Sequence, residues 1–168
     1  MTKNIVRKKS IINLFKNRFF KYLIYPFVRL YWKIFNPKTE GSRAIILFEN
    51  KILLVKNINL PYWTIPGGGI NKNETPEQCL YRELKEELGI KVNSVEYQLG
   101  QYKSSIEGKR DKIFIFVVRL TSPDFVKQWE LDDAKWFLLS QLPENISQAV
   151  LRRLTEYKND LRDLQTTW

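Results

Sequence analysis

Gly68 to Ile90 runs GGINKNETPEQCLYRELKEELGI, and these twenty-three residues constrain the fold more than any other part of the chain. Three of the acids, Glu83, Glu86 and Glu87, stand at i, i+3 and i+4. On a helix that spacing stacks them along one face. Like charges so placed repel one another. A hard divalent cation removes the repulsion, and Mg2+ takes one or two carboxylates, several waters and substrate phosphates. Pro66-Gly67-Gly68-Gly69 comes just before. It reads as a flexible turn whose backbone can approach a ligand closely. A glycine turn feeding a carboxylate-bearing helix suits a metal–phosphate site.

The helix itself is well signposted. Thr75 is placed to be its N-cap, Pro76 its first residue, and Gln78 the partner that completes a capping box. Leu80, Leu84 and Leu88 form a core stripe, and Gly89 ends the helix at the usual C′ position. The three glutamates then fall in its second half.

With these positions in hand, the stretch resembles the Nudix box, G-x5-E-x7-R-E-U-x-E-E-x-G-U, where U is a bulky apolar residue. Gly68 opens it, Glu74 follows, and Arg82-Glu83 come after seven more residues. Leu84 fills the first U, Glu86-Glu87 the acidic pair, Gly89 the glycine and Ile90 the last U. So many restricted positions at fixed spacing carry far more than a lone glycine motif. The likeness extends more loosely from Gly41 to Ser140. It is not diagnostic for the first forty residues.

The resemblance implies a reaction: hydrolysis of a pyrophosphate bond in a nucleoside diphosphate linked to a second moiety. It implies Mg2+ or Mn2+, with Glu83, Glu86 and Glu87 as ligands and either Glu83 or a later acid as general base. Arg82, four residues before Glu86, can orient a carboxylate through its bidentate fork. Glu74 anchors either Arg82 or the loop, and Gly67, Gly68 and Gly69 shape the substrate loop. Candidates for the later acid are Asp111, Glu130, Asp132 and Asp133. Glu130 leads them because it precedes a strand-like AKWF segment. Substrate markers of the family are missing. No proline lies between Pro76 and Pro123 where ADP-ribose hydrolases tend to carry one, and Tyr102 comes too early for the dinucleoside polyphosphate tyrosine. The coenzyme A signature is also not found. Tyr62, Trp63, Tyr102 and Trp129 are candidates to stack on a base, or else core residues.

The rest of the chain supplies strands and one more helix. Ser42 to Phe48 and Lys51 to Lys56 read as paired strands. Val92 to Tyr102 and Lys112 to Leu120 read as long strands around a turn at Ser104 to Arg110, and Lys135 to Phe137 as a short one. Gln141 to Lys158 reads as a closing helix. Strands, helix, strands, helix suit an α/β fold, and the resemblance implies the Nudix-type α/β/α sandwich with a mixed sheet.

Composition bounds the alternatives. The chain of 168 residues is 43% hydrophobic and 14% aromatic, enough for one domain with a sizeable core. It has no histidine and one cysteine, Cys79. That removes internal disulfides and most zinc and Ser-His-Asp schemes. Cys79 lacks an activating partner in the sequence and reads as core filler. The net charge of +10 is concentrated: residues 1–43 hold eleven Lys or Arg and one acid, Glu40. The remainder balances seventeen of each.

Two parts follow. Residues 1–40 form a basic aromatic arm, and residues 41–168 the Nudix domain. Within the arm, Arg18, Lys21, Tyr25, Arg29 and Lys33 recur at helical steps opposite Phe19, Leu23, Phe27 and Leu30, with Pro26 as a break. Its uncharged run from Tyr22 to Val28 is far short of the about 20 residues a span needs. No secretion signal is evident. The expected location is the cytoplasm, with an option of peripheral attachment to the inner membrane face. Three partners are open for residues 1–35: an anionic membrane surface, self-association or packing on the body, and nucleic acid, which ranks below a small nucleotide substrate. Two functional alternatives also stand: a catalytically silent Nudix-fold nucleotide sensor, and an enzyme acting on RNA 5′ ends.

Overall fold

The structure, a computed structural model, describes residues 38–58, 60–104 and 110–168. The arm expected over residues 1–40 lies outside the described residues as far as Pro37, as do residues 105–109 of the expected turn. The elements are β1 Lys38–Phe48, β2 Lys51–Asn57, β3 Gly67–Gly69, α1 Pro76–Leu88, β4 Tyr97–Ser104, β5 Arg110–Arg119, β6 Leu131–Leu138, α2 Gln148–Lys158 and β7 Leu164–Thr167. One mixed sheet runs β6-β2-β1-β5-β4-β7, with β3 also on β1.

Alternation builds two cores from the same strands. Ala44, Ile46, Leu53, Val55, Phe114, Phe116 and Val118 face one way and meet Leu80, Leu84 and Leu88 of α1. Ile45, Leu47, Ile52, Leu54, Ile115 and Val117 face the other way and meet Val150 and Leu154 of α2. A strand buried on both faces must be apolar at every position, which is why IILF and ILLV read as unbroken runs. The result is the α/β/α sandwich implied by the family resemblance, here with seven strands and two helices among the described residues. No helix among them is long and apolar enough to cross a membrane.

α1 forms as its sequence predicts. The Thr75 hydroxyl accepts from Gln78 N at 3.2 Å, and Gln78 Oε1 accepts from Thr75 N at 2.9 Å. Gly89 closes the helix in the left-handed region at φ 66°.

Several elements differ from expectation. The glycine segment is not a flexible turn. Gly67–Gly69 is a strand, paired antiparallel with β1 in the register Gly41↔Gly69, Ser42↔Gly68, Arg43↔Gly67. β1 pairs with β2 only at its far end, Ile46 to Phe48, so its first half takes β3 as partner. Gly67 has φ 132°, and a Cβ there would lie 2.1 Å from Ser42 O. β6 has eight residues rather than three, because it pairs along the whole of β2 from Lys51 to Asn57. Charged Asp132, Asp133 and Lys135 disguise that edge strand in the sequence. α2 begins seven residues later than expected. Residues ahead of it are engaged elsewhere: Trp63 N donates to Asn145 O at 2.9 Å and Asn145 Nδ2 to Pro61 O at 3.1 Å. β7 was not anticipated. It adds parallel to β4 and is held from below by Arg153, which is only 2% exposed. Arg153 Nη1 donates to Thr167 O at 3.2 Å, its Nε and Nη2 each reach Glu156 at 2.7 Å, and its guanidinium lies 3.9 Å from the Tyr102 ring centroid.

Candidate active site

β3 and the second half of α1 bring the acids together. Glu87 is buried, at 8% exposure, and its Oε2 accepts from Gly67 N at 3.1 Å. Burial pushes its carboxyl up to about 7, with the Glu83 and Glu130 charges adding to the rise while the Gly67 bond and Arg43 oppose it. Glu83 lies flat against β3. A Cβ at Gly68 would sit 2.5 Å from Glu83 Cδ, so only glycine leaves room for the carboxylate. Over Gly69 there is open space.

Arg82 ties the acids to the loop. Its Nε donates to Glu74 Oε1 at 2.7 Å and its Nη2 to Glu74 Oε2 at 2.9 Å, a bidentate pair. Nη2 also reaches Gly69 O at 3.0 Å. Nη1 donates to Glu83 Oε1 at 2.5 Å and to Glu86 Oε2 at 3.3 Å. Glu74 serves both the arginine and the loop, because Asn71 N donates to its Oε2 at 2.9 Å. The arginine bonds pull the Glu74 carboxyl down to about 2. Arg82 thus positions carboxylates.

The four downstream acids separate. Asp111 accepts from the Thr39 hydroxyl. Asp133 is paired with Lys135 at 2.7 Å, which lowers its pKa. Asp132 is the second residue of β6. Glu130 instead ends a loop docked on the last turn of α1: Val126 N donates to Leu88 O at 2.8 Å and Gln128 N to Glu87 O at 2.9 Å. Its charge is felt at Glu87. Of the aromatic candidates, Trp63 and Tyr102 are core, whereas Tyr62 and Trp129 are exposed at 37% and 45%. Cys79 is buried, and its thiol is pushed up to about 11 by burial, which suits filler and not a nucleophile.

One residue went unnoticed in the sequence. Arg43 is half-buried on β1, with Nη1 donating to Ile65 O at 3.0 Å. Burial lowers its pKa, and the charges of Glu87 and Glu83 partly offset that. It lies well before the motif, and only the β1–β3 pairing carries it there.

Among the described residues no three acidic, cysteine or histidine side chains already converge on one point as a cation cage. Arg82 draws Glu83 and Glu86, while Glu87 turns to Gly67 N. The donor chemistry nevertheless fits Mg2+ or Mn2+. The ligands on offer are hard carboxylate oxygens, and a buried carboxylate with a raised pKa is one whose charged form lacks compensation.

The family description NUDIX domain matches residues 38–157. The chain belongs to the Nudix family. It is a hydrolase of phosphoric anhydride bonds in nucleotide derivatives. A protein named ADP-ribose pyrophosphatase from Methanocaldococcus jannaschii is 29% identical over 138 residues, covering 79% of this chain and 81% of the relative. An RNA pyrophosphohydrolase from Psychromonas ingrahamii is 36% identical over 111 residues, covering 63% and 58%. The crystal structure of a MutT NUDIX hydrolase from Burkholderia pseudomallei superposes with a TM-score of 0.63 at 25% identity, over 71% of this chain and 97% of that one.

The Glu74–Arg82 pair of this Nudix site makes a prediction about pH. The folded pKa of Glu74 lies near 2, below its ordinary 4.5. Its ionised form therefore stabilises the fold above pH 4.5, and that stabilisation is lost as pH falls toward 2. Glu74→Gln is expected to lower Tm at pH 7 by a few degrees and to flatten the decline of Tm between those pH values. Thermal melts of both proteins across that range check it; parallel curves would contradict the assignment.

Proposed function

We propose that this Nudix protein hydrolyses the pyrophosphate bridge of a nucleoside diphosphate derivative, with Glu83, Glu86 and Glu87 holding Mg2+ or Mn2+. The observation that carries the proposal is the position of Glu87: buried, raised in pKa, and held by the backbone of the glycine strand. When bound, a divalent cation supplies charge neutralisation at the bridge and Lewis acidity toward water.

The chain's own residues do the rest. Arg82 keeps Glu83 and Glu86 on one face and is itself clamped by Glu74. On the side of β3 where a Cβ of residue 69 would stand, the space is open for the substrate to approach. Either Glu83 or Glu130 takes a proton from the attacking water. The water oxygen bonds to one phosphorus, the bridging P–O bond breaks, and the departing phosphate takes the electron pair. The products are a nucleoside monophosphate, or its equivalent, and a second phosphorylated fragment.

The test is a screen of ADP-ribose, nucleotide sugars, oxidised deoxynucleotides, dinucleotides and 5′-triphosphorylated RNA with Mg2+ and with Mn2+. In 18O-water, one product phosphate is expected to carry the label. A covalent phosphoenzyme would overturn this mechanism. Nucleotide binding with no turnover across the panel would favour the sensor reading instead.

A further inference from the structure

Arg43 stands outside the acid–arginine cluster of α1, yet the fold delivers it to the same place. Its Cα pairs with Gly67 in the β1–β3 register. The N–H of Gly67 holds Glu87, and the next residue, Gly68, abuts the Glu83 carboxylate. Arg43 therefore belongs to the wall of the site that α1 does not build.

The two arginines differ in what occupies them. Arg82 is engaged by the carboxylates of Glu74, Glu83 and Glu86. The hydrogen bond of Arg43 goes to a neutral carbonyl, Ile65 O. That bond pins one arm of the guanidinium and orients its fork. A half-buried, pre-oriented guanidinium is poorly hydrated and well shaped for a phosphate, where an exposed lysine would be neither. Tyr62 lies on the same segment, three residues before the carbonyl that holds Arg43. Tyr62 is exposed, but its backbone is held: Pro61 O accepts from Asn145, and Trp63 N donates to Asn145 O. An exposed ring on an anchored segment costs little entropy to use as a stacking surface.

We infer that Arg43 binds the substrate's pyrophosphate and that Tyr62 stacks on its nucleobase, so that the nucleoside lies toward the β1 wall. The inference rests on the pyrophosphohydrolase reading above and specifies which side of that site the nucleoside takes.

Two non-hydrolysable probes separate the roles. Imidodiphosphate carries the phosphates alone, and α,β-methylene-ADP carries a base and ribose as well. Calorimetric titration of the full chain with each, in Mg2+, gives the affinities. Arg43→Gln is expected to weaken both probes by about 10- to 100-fold, the range for a charge-assisted bond. Tyr62→Ala is expected to weaken α,β-methylene-ADP by about tenfold and leave imidodiphosphate within about twofold. Should Arg43→Gln fail to fold, Arg43→Lys keeps the charge without the fork and is expected to weaken both probes by about 3- to 10-fold.

The inference is overturned if the folded Arg43 variant binds both probes as the parent does, for then the arginine serves only Ile65 and Glu87. It is also overturned if Tyr62→Ala spares the nucleotide probe, or if Trp129→Ala weakens it instead. Failure of the parent protein to bind either probe, with Mg2+ or Mn2+, is a different result. It would refute the pyrophosphate reading itself.

Discussion

Replacing Glu86 or Glu87 by glutamine is expected to lower kcat on the order of 10³-fold or more, while the fold persists. A loss of about 4 kcal/mol of transition-state stabilisation corresponds to that factor, and removing one carboxylate from a cation site is a change of that kind. Glutamine keeps the volume and removes the charge. In the metal-free protein each change relieves repulsion among Glu83, Glu86, Glu87 and Glu130. Glu87→Gln goes further, because the parent buries this carboxyl and its pKa is pushed up to about 7. The amide oxygen of glutamine can still accept from Gly67 N. The metal-free Glu87 variant is therefore expected to melt at or above the parent temperature. Glu86→Gln gives up one exposed ion pair with Arg82, of the kind worth about 0.5 kcal/mol. Steady-state kinetics on any substrate found by the screen, with thermal melts in EDTA, check both halves. EDTA should abolish turnover by the parent, and Mg2+ or Mn2+ should restore it. Normal turnover by both variants would remove these residues from the metal set.

The second large effect separates two adjacent glycines. Gly67→Ala is expected to destabilise the fold by about 3 to 5 kcal/mol, enough to unfold a marginal domain. Its φ of 132° suits glycine, and the added Cβ would fall 2.1 Å from Ser42 O and 2.7 Å from Arg43 Cα, both backbone atoms of the paired strand. Neither can yield without breaking the β1–β3 register. Gly68→Ala meets a different obstacle. Its Cβ would fall 2.5 Å from the Glu83 carboxylate, the far end of a side chain that can swing away. The expected result is a folded protein, with Tm lowered by only a few degrees, that has lost most of its turnover because Glu83 is displaced. Far-UV circular dichroism and melting, set beside kcat, distinguish the two. A stable Gly67→Ala protein, or a fully active Gly68→Ala protein, would contradict this account of β3.

Much of the site is local, which explains why it could be read early. Thr75, Pro76, Gln78 and Gly89 act within one or two helical turns, so capping rules place α1 and put Glu83, Glu86 and Glu87 on one face. Arg82 meets Glu86 one turn on, and Glu74 lies in the loop directly before the helix. Strands β1, β2 and β5 were legible because burial on both faces demands continuous apolar residues. What failed was non-local. Gly67–Gly69 reads as a turn because three glycines have no β propensity; the strand exists because β1 has an unpaired half beside it. β6 hides behind its charges, and β7 depends on β4 beside it and on Arg153, which donates to Thr167 O.

The sequence by itself determined the helix, its caps and the order of its acids, because hydrogen bonds and side-chain spacing within a helix span only a few residues. Only the tertiary structure decided that Glu87 is buried against Gly67 N, that the loop leading to Glu130 docks on α1, and that Arg43 pairs with Gly67 across β1 and β3. Those relations join residues far apart in the chain. They are set by strand register and by how the loop before β6 docks on α1, and neither leaves a periodic trace in the order of amino acids.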